Sequence, residues 1–428
     1  MGARRWRNLI AMLVAMLFAA APAAAHLMPN SVIYLDFSSD RVTAELLVPL
    51  NELQFGSGLR VRADPAGLAA DRQRAADYVL RHTAIRGPDG RPWSVQLTDI
   101  AVIDDSYQAD LQARLAFVPP PGVSPRRFDL LYDGVIDRVA NHFVLVFARS
   151  DFSGGTLSGG DPAMIGGLQQ PVKVVHVDRG AGSAWRGFAA AVGLGMHHIA
   201  EGHDHLLFLV ALILPAPLHA VGRHWGGYGG IRHTARRLVA VVSAFTVGHS
   251  ITLLGGAFLG WTLPAQPVEI AIALSILVSA VHAWRPIFAG REALIAGAFG
   301  LVHGLAFATV IGHFVLEPWQ KAQSILGFNI GIELVQLAVV ACILPALLML
   351  VQGPGYARLR VAGAALASVA AVAWIVERVT DRPNPIAANT DAALGYAPWL
   401  VALLTLWAAF RHFRPRRLAP AARARTAG

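Results

Sequence analysis

From Gly187 to near the C-terminal end the chain repeats one pattern, an apolar stretch of spanning length followed by a short polar turn. About seven such stretches occur, at roughly 187–214, 238–260, 267–284, 292–315, 324–351, 357–376 and 396–412. Crossing a ~30 Å hydrocarbon core takes about 20 helical residues, and a helix satisfies its own backbone polar groups there. The composition agrees: of 428 residues, 55% are hydrophobic and 15% charged, against roughly 25% charged in an average soluble domain. The pattern predicts an all-α polytopic membrane bundle of about seven transmembrane helices over 187–412, closed by a basic cytoplasmic tail, 413–428.

The first half reads differently. Arg4, Arg5 and Arg7 precede the apolar core "LIAMLVAMLFAA" and the small-residue exit "APAAA", which predicts a signal peptide over 1–25 with cleavage after Ala25. The alternative, an uncleaved anchor, suffers from an apolar core short for a span. Between 26 and 180, short alternating runs such as "SVIYLDF", "RVTAELLVPL" and "NHFVLVFA" are punctuated by "SSD", "GPDG" and "PPPG". They predict an all-β, sandwich-like periplasmic domain, with "AGLAADRQRAADYVLRH" as a helical insertion. The single cysteine, Cys342, lies in an apolar run and leaves no intrachain disulfide.

If that domain is periplasmic, fourteen arginines fall in loops and tail on the cytoplasmic side, among them Arg223, Arg232, Arg236, Arg237, Arg285 and Arg291. The opposite loops hold only Lys321, Arg378 and Arg382. This bias follows the positive-inside rule and places the protein in the inner membrane with a cytoplasmic C-terminus. The net charge of +9 is therefore topological, and nucleic-acid binding is excluded.

Inside the spans lie groups that a bilayer resists. The stretch "GMHHIAEGHDHLLFL" (195–209) carries four histidines, a glutamate and an aspartate. A charge at mid-bilayer costs about 2.5–3.5 kcal/mol even on lenient scales, whereas an interhelical hydrogen bond there returns on average under ~1 kcal/mol. On one continuous helix, His198, Glu201, Gly202 and His205 share a stripe flanked by His197 and Asp204, and His203 faces away. Glu201 and His205 then meet four residues apart. His198 and His205 stand ~10 Å apart along the axis, too far to share an ion without other helices. Those helices offer His249 with Thr246 and Ser250, His282 with Ser275 and Ser279, His303 in "GLVHGLAFA", and Asn329, Glu333 and Gln336 in "FNIGIELVQL". A lone intramembrane histidine or serine is ordinarily a satisfied interhelical hydrogen bond, and the serines and threonines are read so. The 198–205 cluster is too dense for that. Imidazoles mixed with carboxylates suit nickel, cobalt, zinc or copper better than sodium, potassium, magnesium or calcium.

"HIAEGHDH" (His198 to His205) resembles the H-P-x-x-G-x-D-H signature of the HupE/UreJ family, matching at His198, Gly202, Asp204 and His205. Ile199 stands where the family pattern has proline. "FTVGHSITL", "GLVHG" and "FNIGIELVQL" are similar to that family's later-helix motifs, and the layout is similar to its longer branch with a secreted N-terminal domain. The resemblance covers roughly 187–351 and implies a nickel or cobalt permease.

The leading expectation is thus transport of a divalent transition-metal ion, with His198, Asp204, His205, His249, His303 and Glu333 as ligands and Glu201, Gly202, Asn329 and Gln336 in support. The partners are the metal ion and the lipid bilayer. An intramembrane zinc hydrolase is the alternative, with Glu201 as general base, although no H-E-x-x-H is present. A periplasmic metal-binding or sensing role is the third: cleavage at Ala25 would free the α-amine and imidazole of His26 as a two-nitrogen copper chelate, with His82, His142 and His176 as further candidates.

Overall fold

The computed structural model describes residues 30–62, 64–104, 109–312 and 316–413. The signal peptide expected over 1–25, His26 and nearly all of the basic tail lie outside the described residues. The chain divides into two compact units. The first is built from residues up to Asp178; the second runs from Arg179 onward and takes in Asp36–Ser39 and Ala148–Ala163.

The N-terminal region carries β1 (Ser31–Phe37), β2 (Val42–Pro49), α1 (Leu50–Ser57), α2 (Pro65–Arg81), β3 (Thr83–Arg86), β4 (Ser94–Asp104), β5 (Ala109–Val118), β6 (Arg127–Tyr132), β7 (Val144–Asp151), β8 (Ala163–Leu168) and β9 (Val174–Asp178). Its six-stranded sheet has the order β4-β5-β2-β1-β7-β8, and a three-stranded sheet the order β3-β6-β9. Period-two alternation explains the strands: Val42, Ala44, Leu46 and Val48 of β2 are buried, and the residues between them are partly exposed. The helical insertion forms as α2, capped by the Asp64 side chain accepting the Gly67 N–H at 2.5 Å, with Pro65 opening the first turn. Helices α1 and α2 make this region mixed α and β, a correction to the all-β expectation. Alternation marked the strands, but α1 begins at the end of β2, where one apolar run supplies both elements.

The second unit contains α3 (Ala184–Glu201), α4 (His203–Ile213), the hairpin β10 (Leu218–Val221) and β11 (His224–Tyr228), α5 (Ile231–Leu259), α6 (Ala265–Trp284), α7 (Glu292–Gly312), α8 (Pro318–Leu350), α9 (Tyr356–Thr380), α10 (Pro385–Leu394) and α11 (Ala397–Phe413). Among the described residues four helices, α5, α6, α8 and α9, are long and apolar enough to cross a membrane. Helices α10 and α11, bent by 60°, make a fifth if they form one span. This multi-pass architecture has fewer spans than the seven stretches counted in the sequence. The first stretch is broken at Gly202 into α3 and α4, and the fourth gives an apolar helix over Glu292–Ala308.

Two glycine seams hold the helices close. Added Cβ atoms at Gly195 and Gly331 would strike backbone carbonyls of Phe328 and Val192, so α3 and α8 pack backbone to backbone. At Gly248, Gly300 and Gly304 they would strike Gly297, Phe245 and Thr252, which joins α5 to α7 in the same way. Val247, Ile251, Leu254 and Phe258 of α5 are exposed at helical spacing, as are Leu326, Ile330, Leu334 and Leu337 of α8. The faces turned inward bury His249 and Asn329. Apolar groups outside and polar groups inside suit lipid as solvent. Ion pairs fix the helix ends: Arg378 Nε donates to Glu269 at 3.3 Å, tying the end of α9 to the start of α6, and Arg237 pairs with Glu292 between the starts of α5 and α7.

A Gly300→Val substitution in the α5–α7 seam is expected to destabilise the bundle by about 1–3 kcal/mol or more, read as a lower melting temperature in detergent. In the first unit, His142 is buried at 3% exposure, and its Nε2 lies 2.8 Å from Ser31 Oγ at the start of β1. Burial pushes this imidazole down to about 4. Between that value and the unfolded value near 6.5, the unfolded chain binds the extra proton, so stability falls as pH drops through this window. Hydrogen exchange of β1, corrected for intrinsic rates, should accelerate from pH 7 to pH 5, and His142→Asn should flatten that dependence. Glu52, whose carboxyl burial pushes up, titrates in the opposite sense.

Candidate metal centre

Gly202 organises the site. Its φ of −74° and ψ of 84° end α3 and start α4, while its N–H still bonds the His198 carbonyl at 3.0 Å. Since α4 does not continue α3, His205 turns back toward His198, and their ring centroids lie 5.1 Å apart. The ~10 Å separation expected of one continuous helix is thereby corrected. The break arises without the family's proline, at the one residue whose missing side chain leaves room. A Cβ on Gly202 would lie 2.8 Å from the His198 carbonyl and 2.9 Å from His205 Nδ1.

His249 arrives from α5, with its ring centroid 6.5 Å from that of His198. One ring nitrogen each from His198, His205 and His249 lies within 4.8 Å of the others. Tetrahedral ligands at 2.0–2.1 Å from a metal stand about 3.3 Å apart, a closure that small rotamer shifts can supply.

The surroundings orient these rings. Asp204 Oδ1 accepts from the backbone N–H of His205 and lies 2.8 Å from its Nδ1, so the Nδ1 proton is held there and Nε2 is left as a free lone pair. His249 Nδ1 faces Asn329 Oδ1 at 3.3 Å, and the Asn329 amide is aligned by donating to the Ile325 carbonyl at 2.8 Å. His303 is arranged the other way round. The Ser275 hydroxyl donates to the Ile272 carbonyl at 2.6 Å, so His303 Nε2 donates to Ser275 Oγ at 3.0 Å and the Nδ1 lone pair is free. Nε2 of His198, His205 and His249 and Nδ1 of His303 are buried without a hydrogen-bond partner. Buried polar atoms nearly always find partners, and four partnerless imidazole nitrogens in one chamber fit a ligand set for a borderline transition metal. The His303 ring lies 4.6 Å from that of His205, beside the three-histidine group.

Asp204 serves behind His205. Glu333 is half-buried, receives the Ser243 hydroxyl at 3.4 Å and stands outside the three-histidine group. Gln336 is buried with a partnerless Oε1. Glu201 is exposed and pairs with His197 at 2.9 Å, so its expected meeting with His205 is not formed; the break at Gly202 puts the two on different helices. His282 stacks on Phe288 at 3.7 Å and accepts backbone N–H groups of Ile287 and Phe288, a structural role. In the first unit His82 is engaged by Asp133 and His176 by Asp129, each at 2.6 Å.

The sequence reading missed the aromatic wall. Phe307 and Phe328 flank His198 at 4.9 and 5.3 Å and stack on each other at 4.5 Å, while Phe245 lies 6.2 Å from His205. The signal was spacing: Phe307 is one turn beyond His303, Phe245 one turn before His249, and Phe328 precedes Asn329.

Histidines gathered among the helices of an apolar, multi-pass bundle define a membrane protein with an interior histidine cluster. The family model described as HupE / UreJ protein matches residues 174–378 of the chain. Comparison with curated proteins gives no match.

Gly202→Ala should push His198 and His205 apart and weaken metal binding by at least about tenfold, as measured by titration with Ni²⁺ or Co²⁺. Asp204→Asn, which removes the charge behind His205, is expected to cost about 10–100-fold in the same titration.

Proposed function

We propose that the helical unit is a permease for a divalent transition-metal cation, with Ni²⁺ or Co²⁺ as substrate. The observation that carries this reading is the set of partnerless nitrogens on His198, His205 and His249, gathered inside helices that face lipid with apolar side chains. Nitrogen donors match nickel and cobalt, and nickel/cobalt transport is what the family resemblance implies. Asp204 and Asn329 hold the ligand tautomers, so the lone pairs are ready before the ion arrives. His303, with its free Nδ1 beside His205, offers a next position and lets the ion leave the first group by ligand exchange. Glu333 and Gln336 sit on the same helix as Asn329 and line the onward route. The basic loops favour the cytoplasmic side for the connections before α5 and α7, which makes the N-terminal region periplasmic and the membrane the inner one. Inward movement of a cation is then favoured by about 2.3 kcal/mol per charge per 100 mV.

The test is uptake into liposomes loaded with a metal-sensitive dye. Wild type should admit Ni²⁺ or Co²⁺ well above empty vesicles, and His205→Ala should lose most of that flux while remaining folded. Wild-type flux equal to that of empty vesicles for nickel, cobalt, zinc and copper would end the proposal.

A further inference from the structure

Away from the histidine chamber, the second unit has a cavity of ≈ 730 Å³ between the β10–β11 hairpin, the start of α5 and the start of α7. His219, Arg232, His233, Arg236, Arg237 and Glu292 supply its polar lining. The one carboxylate among them is already engaged: Glu292 pairs with Arg237 and accepts the Gly290 N–H at 3.0 Å. Arg237 also donates to the Leu218 carbonyl at 3.0 Å. Arg232 and Arg236, one helical turn apart, are exposed and without an ion pair among the described residues. His219 and His233 lie with ring centroids 4.3 Å apart, and His233 Nε2 is buried without a partner. Gly229 leaves room for them, since a Cβ there would come within 2.8 Å of His219 Nε2.

Two free guanidinium groups and two imidazoles with no free carboxylate select an anion, and they disfavour a metal ion at the histidine pair. The remaining wall is apolar, formed by Ala240, Val241 and Ala293. Beside it, Val239 and Leu294 are 55% and 72% exposed. The cavity also lies where α5, a helix of spanning length, begins, and the ends of a spanning helix are where lipid headgroups are met. A polar mouth for phosphate above apolar surface matches an amphiphile. We infer that this cavity binds an anionic phospholipid, its phosphate held by Arg232 and Arg236 and its acyl chains lying along Val239 and Leu294. The inference concerns a second site and stands whether or not the histidine chamber carries metal.

The test is native mass spectrometry of the delipidated full chain in detergent, titrated with phosphatidylglycerol, with phosphatidylcholine and with inorganic phosphate. Wild type should retain phosphatidylglycerol in preference to phosphatidylcholine. Arg232→Ala/Arg236→Ala should bind it about tenfold more weakly, with an unchanged melting temperature and unchanged phosphatidylcholine binding. The charge-retaining Arg232→Lys/Arg236→Lys should keep part of the preference, and Val239→Ser/Leu294→Ser should weaken phosphatidylglycerol too. Equal binding by wild type and the alanine double variant would overturn the inference. So would displacement of the lipid by millimolar inorganic phosphate, which would mark a free-phosphate site. Loss of bound Ni²⁺ or Zn²⁺ on His219→Ala/His233→Ala, with lipid binding unaffected, would mark a metal site and overturn it as well.

Discussion

An imidazole buried in an apolar bundle has two nitrogens to satisfy, and the bundle around His198, His205, His249 and His303 satisfies only some of them. Asp204, Asn329 and Ser275 each take one nitrogen and so settle where the proton sits on His205, His249 and His303. The complementary nitrogen stays a bare lone pair in a place that water does not reach. Leaving a buried acceptor unmade costs about 1–3 kcal/mol, and the chain accepts that cost several times within one chamber. A ligand for those lone pairs would offset it. The aromatic wall of Phe307 and Phe328 raises the stakes by keeping the chamber dry on the His198 side.

That arrangement depends on backbone that comes unusually close. The seams at Gly195 and Gly331 bring α3 against α8, and those at Gly248, Gly300 and Gly304 bring α5 against α7. Two pairs of helices around the histidine chamber are thus set before any side chain is considered. Gly202 adds the remaining degree of freedom by dividing one apolar stretch into two helices. Small residues here act through absence: backbone carbonyls, or the Thr252 hydroxyl at Gly304, occupy the space where a Cβ would stand in the seams, and the His198 carbonyl and His205 Nδ1 do so at Gly202. A non-helical turn at membrane depth is tolerable because it faces the chamber and its N–H still finds the His198 carbonyl.

Much of the site was legible in the residues themselves. His198, His205, His249 and His303 were named from density and spacing, and all four meet. Asn329, expected as support, has its Oδ1 3.3 Å from Nδ1 of His249. The residues misjudged were those whose role depends on a helix being continuous. Glu201 belongs to the stripe of His205 only if α3 runs on through Gly202; once the helix breaks, Glu201 faces outward to His197. Asp204, named as a ligand by type, has its Oδ1 2.8 Å from Nδ1 of the adjacent His205. Ser275, set aside as an ordinary interhelical hydrogen bond, is one, and it is also what turns His303.

Hydrophobic periodicity alone determined that this is a multi-pass helical protein preceded by a strand-rich region, because burial in lipid and burial under a sheet each impose their own period on the residues. Residue chemistry alone determined that imidazoles would gather within the apolar half. Only the tertiary structure decided which nitrogen each ring presents, where the first helix breaks, and that Arg232 and Arg236 share a cavity with His219 and His233. Those outcomes depend on which backbones approach closely enough to touch, and residues far apart in the chain settle that distance together.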